Sequence, residues 1–206
     1  MIDRYALAIL KPAADEAARR LAAKGIGADQ VSLAGFAIGL FAALLIALGY
    51  PTLAIAPLLV NRAFDGVDGA LARLSQASDR GAFFDISLDF LFYAAIPLGF
   101  SLADPGANAL AGAALLAAFV GTGTSFLAYA IIAEKRGLKS ADYPTKSFYY
   151  LGGLTEGAET IICFLAMCWW PQYFAAIAYV YAALCLVTTV TRLLAGWQAF
   201  GADARS

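Results

Sequence analysis

No histidine occurs among the 206 residues, so the side chain that most often serves as a base or metal ligand near neutral pH is missing. Charge is scarce too: Asp, Glu, Lys and Arg make up 14% of residues against 62% hydrophobic ones, and the mean hydropathy is +0.73. A chain with so little polar surface reads as an integral membrane protein. Its net charge of −1 excludes nothing, because along a membrane chain the placement of charge matters more than its sum. Cysteine is limited to Cys163, Cys168 and Cys185, all in apolar segments and without CxxC spacing; they read as small buried hydrophobes, not as disulfides or zinc ligands. The first 25 residues lack an uninterrupted apolar core followed by a cleavage site, so no cleaved signal peptide is expected. No long linker is present either. Residues 1–206 are expected to form one all-α membrane domain, with 1–27 as an interfacial helix and 28–206 as a six-helix bundle.

What is abundant is apolar sequence at membrane length. Residues 31–49 carry no charge and, at ~1.5 Å per residue, nearly span a ~30 Å hydrocarbon core. After a turn at Tyr50 and Pro51, residues 52–74 return, becoming polar toward the end. Residues 82–103 are polar at the start and apolar beyond Asp89. Residues 107–133, about 147–169 and 173–197 complete six predicted transmembrane helices. Ahead of them, Ile2, Tyr5, Ile9 and Leu10 share a helical face that Ala13, Ala17 and Leu21 continue past Pro12, with Arg4, Lys11, Arg19, Arg20 and Lys24 elsewhere. That pattern predicts a basic amphipathic helix on the membrane surface, in one piece or two. Lys and Arg concentrate in the N-terminal segment, the second-to-third and fourth-to-fifth loops and the tail, whereas the turns near Tyr50, Asp104 and Trp170 hold none. Both termini and the second-to-third loop are therefore expected on the cytoplasmic side, in a bacterial or archaeal cytoplasmic membrane.

That loop and its flanks hold the most informative residues. Between positions 64 and 90 lie five aspartates. On helices, Asp65 and Asp68 at a spacing of three, and Asp85 and Asp89 at a spacing of four, each project from one face. Two antiparallel helices joined by a short loop bring the four carboxylates together, where they need cations. Arg62, Arg73 and Arg80 offer one answer, a salt-bridged knot. A hard divalent ion, magnesium or manganese, offers another, and four carboxylates suffice for two. Ionisable groups in membrane segments are costly and usually functional, which favours metal. Asp79 lies beside Arg80 and reads as a solvated loop charge.

The spacing Asp65-x-x-Asp68-Gly69-x-x-Ala72-Arg73, seven residues, then Gly81-x-x-x-Asp85-x-x-x-Asp89, resembles the signature of the CDP-alcohol phosphotransferase family at every fixed position. The resemblance implies six spans with an N-terminal surface helix. It also implies that Asp65, Asp68 and Asp85 bind two divalent ions, Mg2+ or Mn2+, and that Asp89 completes the shell of the second ion and acts as general base. Gly69, Arg73 and Ser78 would contact the CDP part of a lipid donor, small residues allowing close approach to the helix backbone. Asp29 looks like an N-cap of the first span and, with Ser32, like a loose form of a nucleotide-contacting segment of the family.

Other polar residues point to the acceptor. Glu156 and Glu159, spaced by three in the fifth span, can hydrogen-bond a polyol, attract an amine, or pair with Arg62 or Arg192. Lys135, Arg136, Lys139 and Lys146 mostly express the positive-inside pattern, with Lys146 and Arg192 placed to meet an acceptor phosphate. The GTGTS run at 121–125 suits close helix packing within the bundle or at a dimer interface, and a homodimer is expected. The expected activity is transfer of a phosphatidyl-type group from a CDP-lipid such as CDP-diacylglycerol to an alcohol, with release of CMP. The rival is a divalent-cation or proton-coupled transporter using the same carboxylates. A catalytically silent scaffold has no use for the glycines of the signature.

Overall fold

The computed structural model describes residues 2–75, 78–137 and 154–201, with residues 2–10 and 75 by backbone alone. These form helices α1 (Ile2–Ala22), α2 (Ala28–Ala47), α3 (Pro51–Ser75), α4 (Asp79–Ala103), α5 (Pro105–Lys135), α6 (Gly157–Trp169) and, after a 3-10 turn at Pro171–Tyr173, α7 (Phe174–Phe200). No strand occurs among the described residues. Among the described residues, four segments are long and apolar enough to cross a membrane: α2, α4, α5 and Pro171–Phe200. α3 has the length, at 25 residues, but holds Arg62, Asp65, Asp68 and Arg73 in its second half. α6 is apolar but has 13 residues.

Local chemistry sets the boundaries. Gly49 ends α2 in the left-handed region (φ 86°), letting the Tyr50 N–H reach back to the Leu45 carbonyl at 2.8 Å, and Pro51 then opens α3 where its missing N–H is not needed. Ser78 Oγ accepts the Gly81 N–H at 3.1 Å and starts α4, and Asp104 Oδ1 accepts the Ala107 N–H at 3.1 Å and starts α5. Asp79 is thus the first residue of α4 and not part of a loop. Asp29 is not the cap of α2: Gly27 holds that position, its N–H donating to Gln30 Oε1, and Asp29 lies in the first turn, where a negative charge suits the helix dipole. α1 runs through Pro12 as one helix.

The predicted fifth span begins outside the described residues, and at Leu154 and Thr155 the chain is not helical. Glu156 is the N-cap residue of α6, in extended backbone, and its carbonyl accepts both the N–H and the hydroxyl of Thr160. Thr155 is tied instead to Thr188 on α7, Oγ1 to Oγ1 at 3.0 Å. Glu156 and Glu159 therefore do not share a helical face, as their spacing suggested, because the helix starts between them.

α2 packs against α3 and α4, α4 against α5, α5 against α7, and α6 against α3 and α7, while α1 lies on α3. Glycines allow the close crossings. A methyl at Gly39 of α2 would lie 2.6 Å from the Phe92 ring, and one at Gly99 of α4 would lie 2.7 Å from the Ala43 carbonyl oxygen. The GTGTS run is used inside the bundle: a methyl at Gly123 would meet Phe90 of α4, and one at Gly121 would meet Thr189 of α7. The core contains an aromatic cluster of Phe92, Tyr93, Phe119, Phe164 and Tyr181, with neighbouring centroids 5.5–6.5 Å apart. The three cysteines are buried and free. Large apolar side chains such as Leu110, Val120, Ile131 and Trp197 cover the outside, as an exterior facing lipid requires.

Candidate active site

The polar ends of α3 and α4 enclose a small cleft lined by Asp65, Asp68, Asp85 and Asp89, with Ser32 and Gly35 of α2 as its third wall. One carboxylate oxygen from each of Asp65, Asp68 and Asp85 lies within 4.8 Å of the others. Asp89 lines the same cleft but stands outside that group, its Oδ1 accepting from Arg62 Nη2 at 3.1 Å. The pairs at spacings of three and four thus converge as the helical geometry predicts, with two of the four carboxylates, Asp89 and Asp65, paired to one cation, Arg62.

Arg62 is held on every side. Its Nε donates to Asn61 Oδ1 at 2.8 Å, its Nη1 donates to the Tyr93 hydroxyl at 3.3 Å and lies 3.6 Å from Asp65 Oδ2, and its guanidinium sits 4.7 Å from the Phe92 ring centroid. Asn61 is itself fixed by donating from Nδ2 to the Gly35 carbonyl at 2.8 Å. Of the three arginines expected near the aspartates, Arg62 alone pairs with aspartates of the cleft. Arg73 pairs with Asp15 of α1 at 3.4 Å, and Arg80 pairs with Asp29 of α2 at 2.6 Å. A knot of three arginines around four aspartates is therefore not what forms; Arg73 and Arg80 are held by acids of α1 and α2.

Ser32 stands with the carboxylates, its Oγ donating to Asp68 Oδ2 at 2.6 Å. Asp29, Ser78 and Gly81 meet at the neighbouring edge: a methyl at Gly81 would lie 3.2 Å from both Asp29 Oδ1 and Ser78 Oγ. Above Gly69 a methyl would find only Arg73 Nη1, at 3.6 Å. The face of α3 that carries the signature is thus open where a ligand backbone would pass.

The residues expected to meet an acceptor are less concentrated. Lys139 and Lys146 lie outside the described residues. Glu156 and Arg192 are buried and Glu159 is half-buried, on α6 and α7, and none of them lines the aspartate cleft. Arg192 Nη1 donates to the Thr122 carbonyl at 3.1 Å, its guanidinium faces Phe126, and Thr160 Oγ1 bonds the Tyr181 hydroxyl at 2.8 Å. Sequence reasoning missed Asn61, Tyr93 and Asp15. The adjacent Asn61 and Arg62 in an apolar helix were the available signal for the first.

The model of the CDP-alcohol phosphatidyltransferase family matches residues 28–191. The chain belongs to that family. As a family member it is an enzyme, a transferase of substituted phosphate groups in phospholipid biosynthesis. It is 51% identical over 197 residues to the inner membrane protein YnjF of Escherichia coli (strain K12), covering 96% of each chain. That likeness and the four apolar helices make it an integral membrane protein. Among solved structures it resembles Mycobacterium tuberculosis phosphatidylinositol phosphate synthase (PgsA1) with CDP-DAG bound, with a TM-score of 0.71 at 23% identity over 89% of this chain and 93% of that one. The same synthase in complex with manganese and citrate also matches, with a TM-score of 0.71 at 23% identity over 89% of this chain and 88% of that one. These two neighbours show a shared fold.

Proposed function

We propose that this phosphotransferase moves a phosphatidyl-type group from CDP-diacylglycerol, or a related CDP-lipid, to an alcohol and releases CMP at the cytoplasmic face. The observation that carries the reading is the meeting of Asp65, Asp68 and Asp85 within 4.8 Å at the polar ends of two membrane helices. CDP-DAG in one solved neighbour and manganese in another support the choice of donor and of a divalent ion.

The donor set fits a hard cation: carboxylate oxygens only, from Asp65, Asp68 and Asp85, with Asp89 on the same cleft. When bound, two Mg2+ or Mn2+ ions supply the positive charge that a diphosphate and its transition state need. Ser32 fixes Asp68 through its hydroxyl, and Arg62 fixes Asp89 through Oδ1, leaving Asp89 Oδ2 to take the proton of the acceptor hydroxyl. The acceptor oxygen forms a bond to the lipid-side phosphorus as the bridging bond to CMP breaks. Gly69, Arg73 and Ser78 contact the CDP part of the donor, and the entry segment of α2 with Asp29 and Ser32 contacts its nucleotide. Acceptor selection falls to Lys146, Glu156, Glu159 and Arg192, the bases suiting a phosphorylated alcohol and the acids a polyol or amine.

In this reading residues 1–206 form one domain. α2 to α7 supply six crossings, α1 lies on the membrane surface, and both termini face the cytoplasm, following the distribution of Lys and Arg. The assembly is a homodimer, and the two glycines of the GTGTS run serve packing within the bundle. The deciding assay gives purified protein CDP-diacylglycerol, magnesium or manganese and a panel of alcohols, and follows CMP. Release with at least one acceptor is expected. No release with any, together with no thermal stabilisation by CDP, overturns the proposal.

A further inference from the structure

We infer that Asp15, on α1 and outside the signature, is a positioning residue that holds the Arg73 guanidinium ready for the donor diphosphate. The inference rests on the reading above that Arg73 binds the donor.

Three observations carry it. The first is the pair itself: Arg73 Nη2 donates to Asp15 Oδ1 at 3.4 Å across 58 residues of sequence, while Nη1 of the same group lies over Gly69, 3.6 Å from where a methyl would sit. The guanidinium is thus anchored at one end and presented at the other over the opening of the signature helix. It has five N–H donors, and one carboxylate contact leaves most of them for phosphate oxygens.

Second, the anchor is rigid. Ala18, one turn from Asp15, is fully buried against Ala70 and Leu71 of α3 and Val31 of α2, and Ala14 lies across from Gly66. Packing therefore fixes where the Asp15 carboxylate stands relative to α3.

Third, Asp15 is left available by its own helix. Arg19, four residues on and its natural local partner, is held by Glu16 at 2.9 Å, and Arg20 is held by the same glutamate at 2.8 Å. The acid that could have been neutralised within α1 instead reaches α3.

The pair is too exposed to matter much for stability, with side-chain exposures of 58% for Arg73 and 32% for Asp15. Its value lies in orientation. A free arginine must give up rotamer freedom when it grips a phosphate, and an anchored one has already lost part of it.

The test uses full-length protein in nanodiscs with manganese, and measures binding of CDP and of CDP-diacylglycerol to wild type, Asp15→Asn, Asp15→Glu, Arg73→Lys and the Asp15→Asn/Arg73→Lys double variant, with thermal unfolding of each. Asp15→Asn is expected to weaken both ligands about five-fold with its unfolding temperature unchanged. Asp15→Glu should restore binding, and the double variant should bind no worse than Arg73→Lys alone. Unchanged or tighter binding by Asp15→Asn overturns the inference, the tighter result meaning that Asp15 competes with the diphosphate. A loss of binding matched by a fall in unfolding temperature, or one that persists in full in the Arg73→Lys background, overturns it as well. If Arg73→Lys itself binds both ligands like wild type, the donor role of Arg73 fails, and the inference with it. If Arg73→Lys is weak and Asp15→Asn is not, only the inference fails.

Discussion

Arg62 on α3 donates from Nη2 to Asp89 Oδ1 on α4 at 3.1 Å, across the cleft that holds the other three carboxylates. Among the described residues it is the one basic side chain lining that cleft, and its side chain is only 18% exposed. Such a charge is fixed by hydrogen bonds and by the Phe92 face, so it neutralises part of the carboxylate cluster before any ligand arrives.

Arg62→Met should therefore lower stability by about 3 kcal/mol, the scale for breaking one side of a largely buried ion pair. Saturating Mn2+ should narrow the gap between variant and wild type, because a cation replaces the lost compensation. Thermal unfolding in detergent with and without Mn2+ checks both statements; a variant as stable as wild type without the ion removes Arg62 from this role.

Ser32→Ala takes away a hydroxyl that donates to Asp68 Oδ2. Partners that orient a metal-binding group typically tune affinity by ten-fold or more, so Mn2+ affinity should fall about ten-fold with the helix content intact. Titration of the free Mn2+ signal by electron paramagnetic resonance reads this directly. Equal affinity would show that Asp68 needs no such partner.

The boundaries of α2 to α5 were legible in the sequence because they are announced locally. Gly49 and Pro51 separate α2 from α3, Asp104 and Pro105 separate α4 from α5, and the spacings of Asp65 with Asp68 and of Asp85 with Asp89 place each pair on one face. What the sequence concealed was the pairing of charges across long separations. Arg73 and Arg80 sit among aspartates in the chain, yet their partners are 58 and 51 residues away, on helices whose approach depends on Ala18, Val31 and Ala70 packing together. The start of α6 was hidden for a similar reason: Thr155 bonds to Thr188 on another helix, which no periodicity within residues 147–169 records.

Gly99→Ala tests the packing apart from the chemistry. A methyl there meets the Ala43 backbone oxygen at 2.7 Å, which cannot rotate away as a side chain would. The α2–α4 crossing must open, costing about 1–3 kcal/mol. Thermal unfolding should show the loss, while CDP binding remains, since Gly99 lies more than two turns beyond Asp89 on α4. A variant with wild-type stability would mean that the crossing adjusts freely.

Asp89→Asn separates proton transfer from binding. The amide keeps the size of the side chain but cannot take a proton from the acceptor, so turnover should fall by about 10²–10⁴ while CDP binding changes little. Single-turnover CMP release and CDP titration on one preparation supply the two readouts. Turnover retained alongside lost CDP binding would reverse the assignment.

CMP release from CDP-diacylglycerol by chelator-stripped protein, with the best acceptor from the alcohol panel, tests most directly whether the carboxylates work through a divalent cation. Release should be at background in EDTA and return when Mg2+ or Mn2+ is added in excess, whereas Asp68→Asn, at the same ion concentration, should stay at background. Full-rate release in EDTA, or by Asp68→Asn, would show that the carboxylates do not.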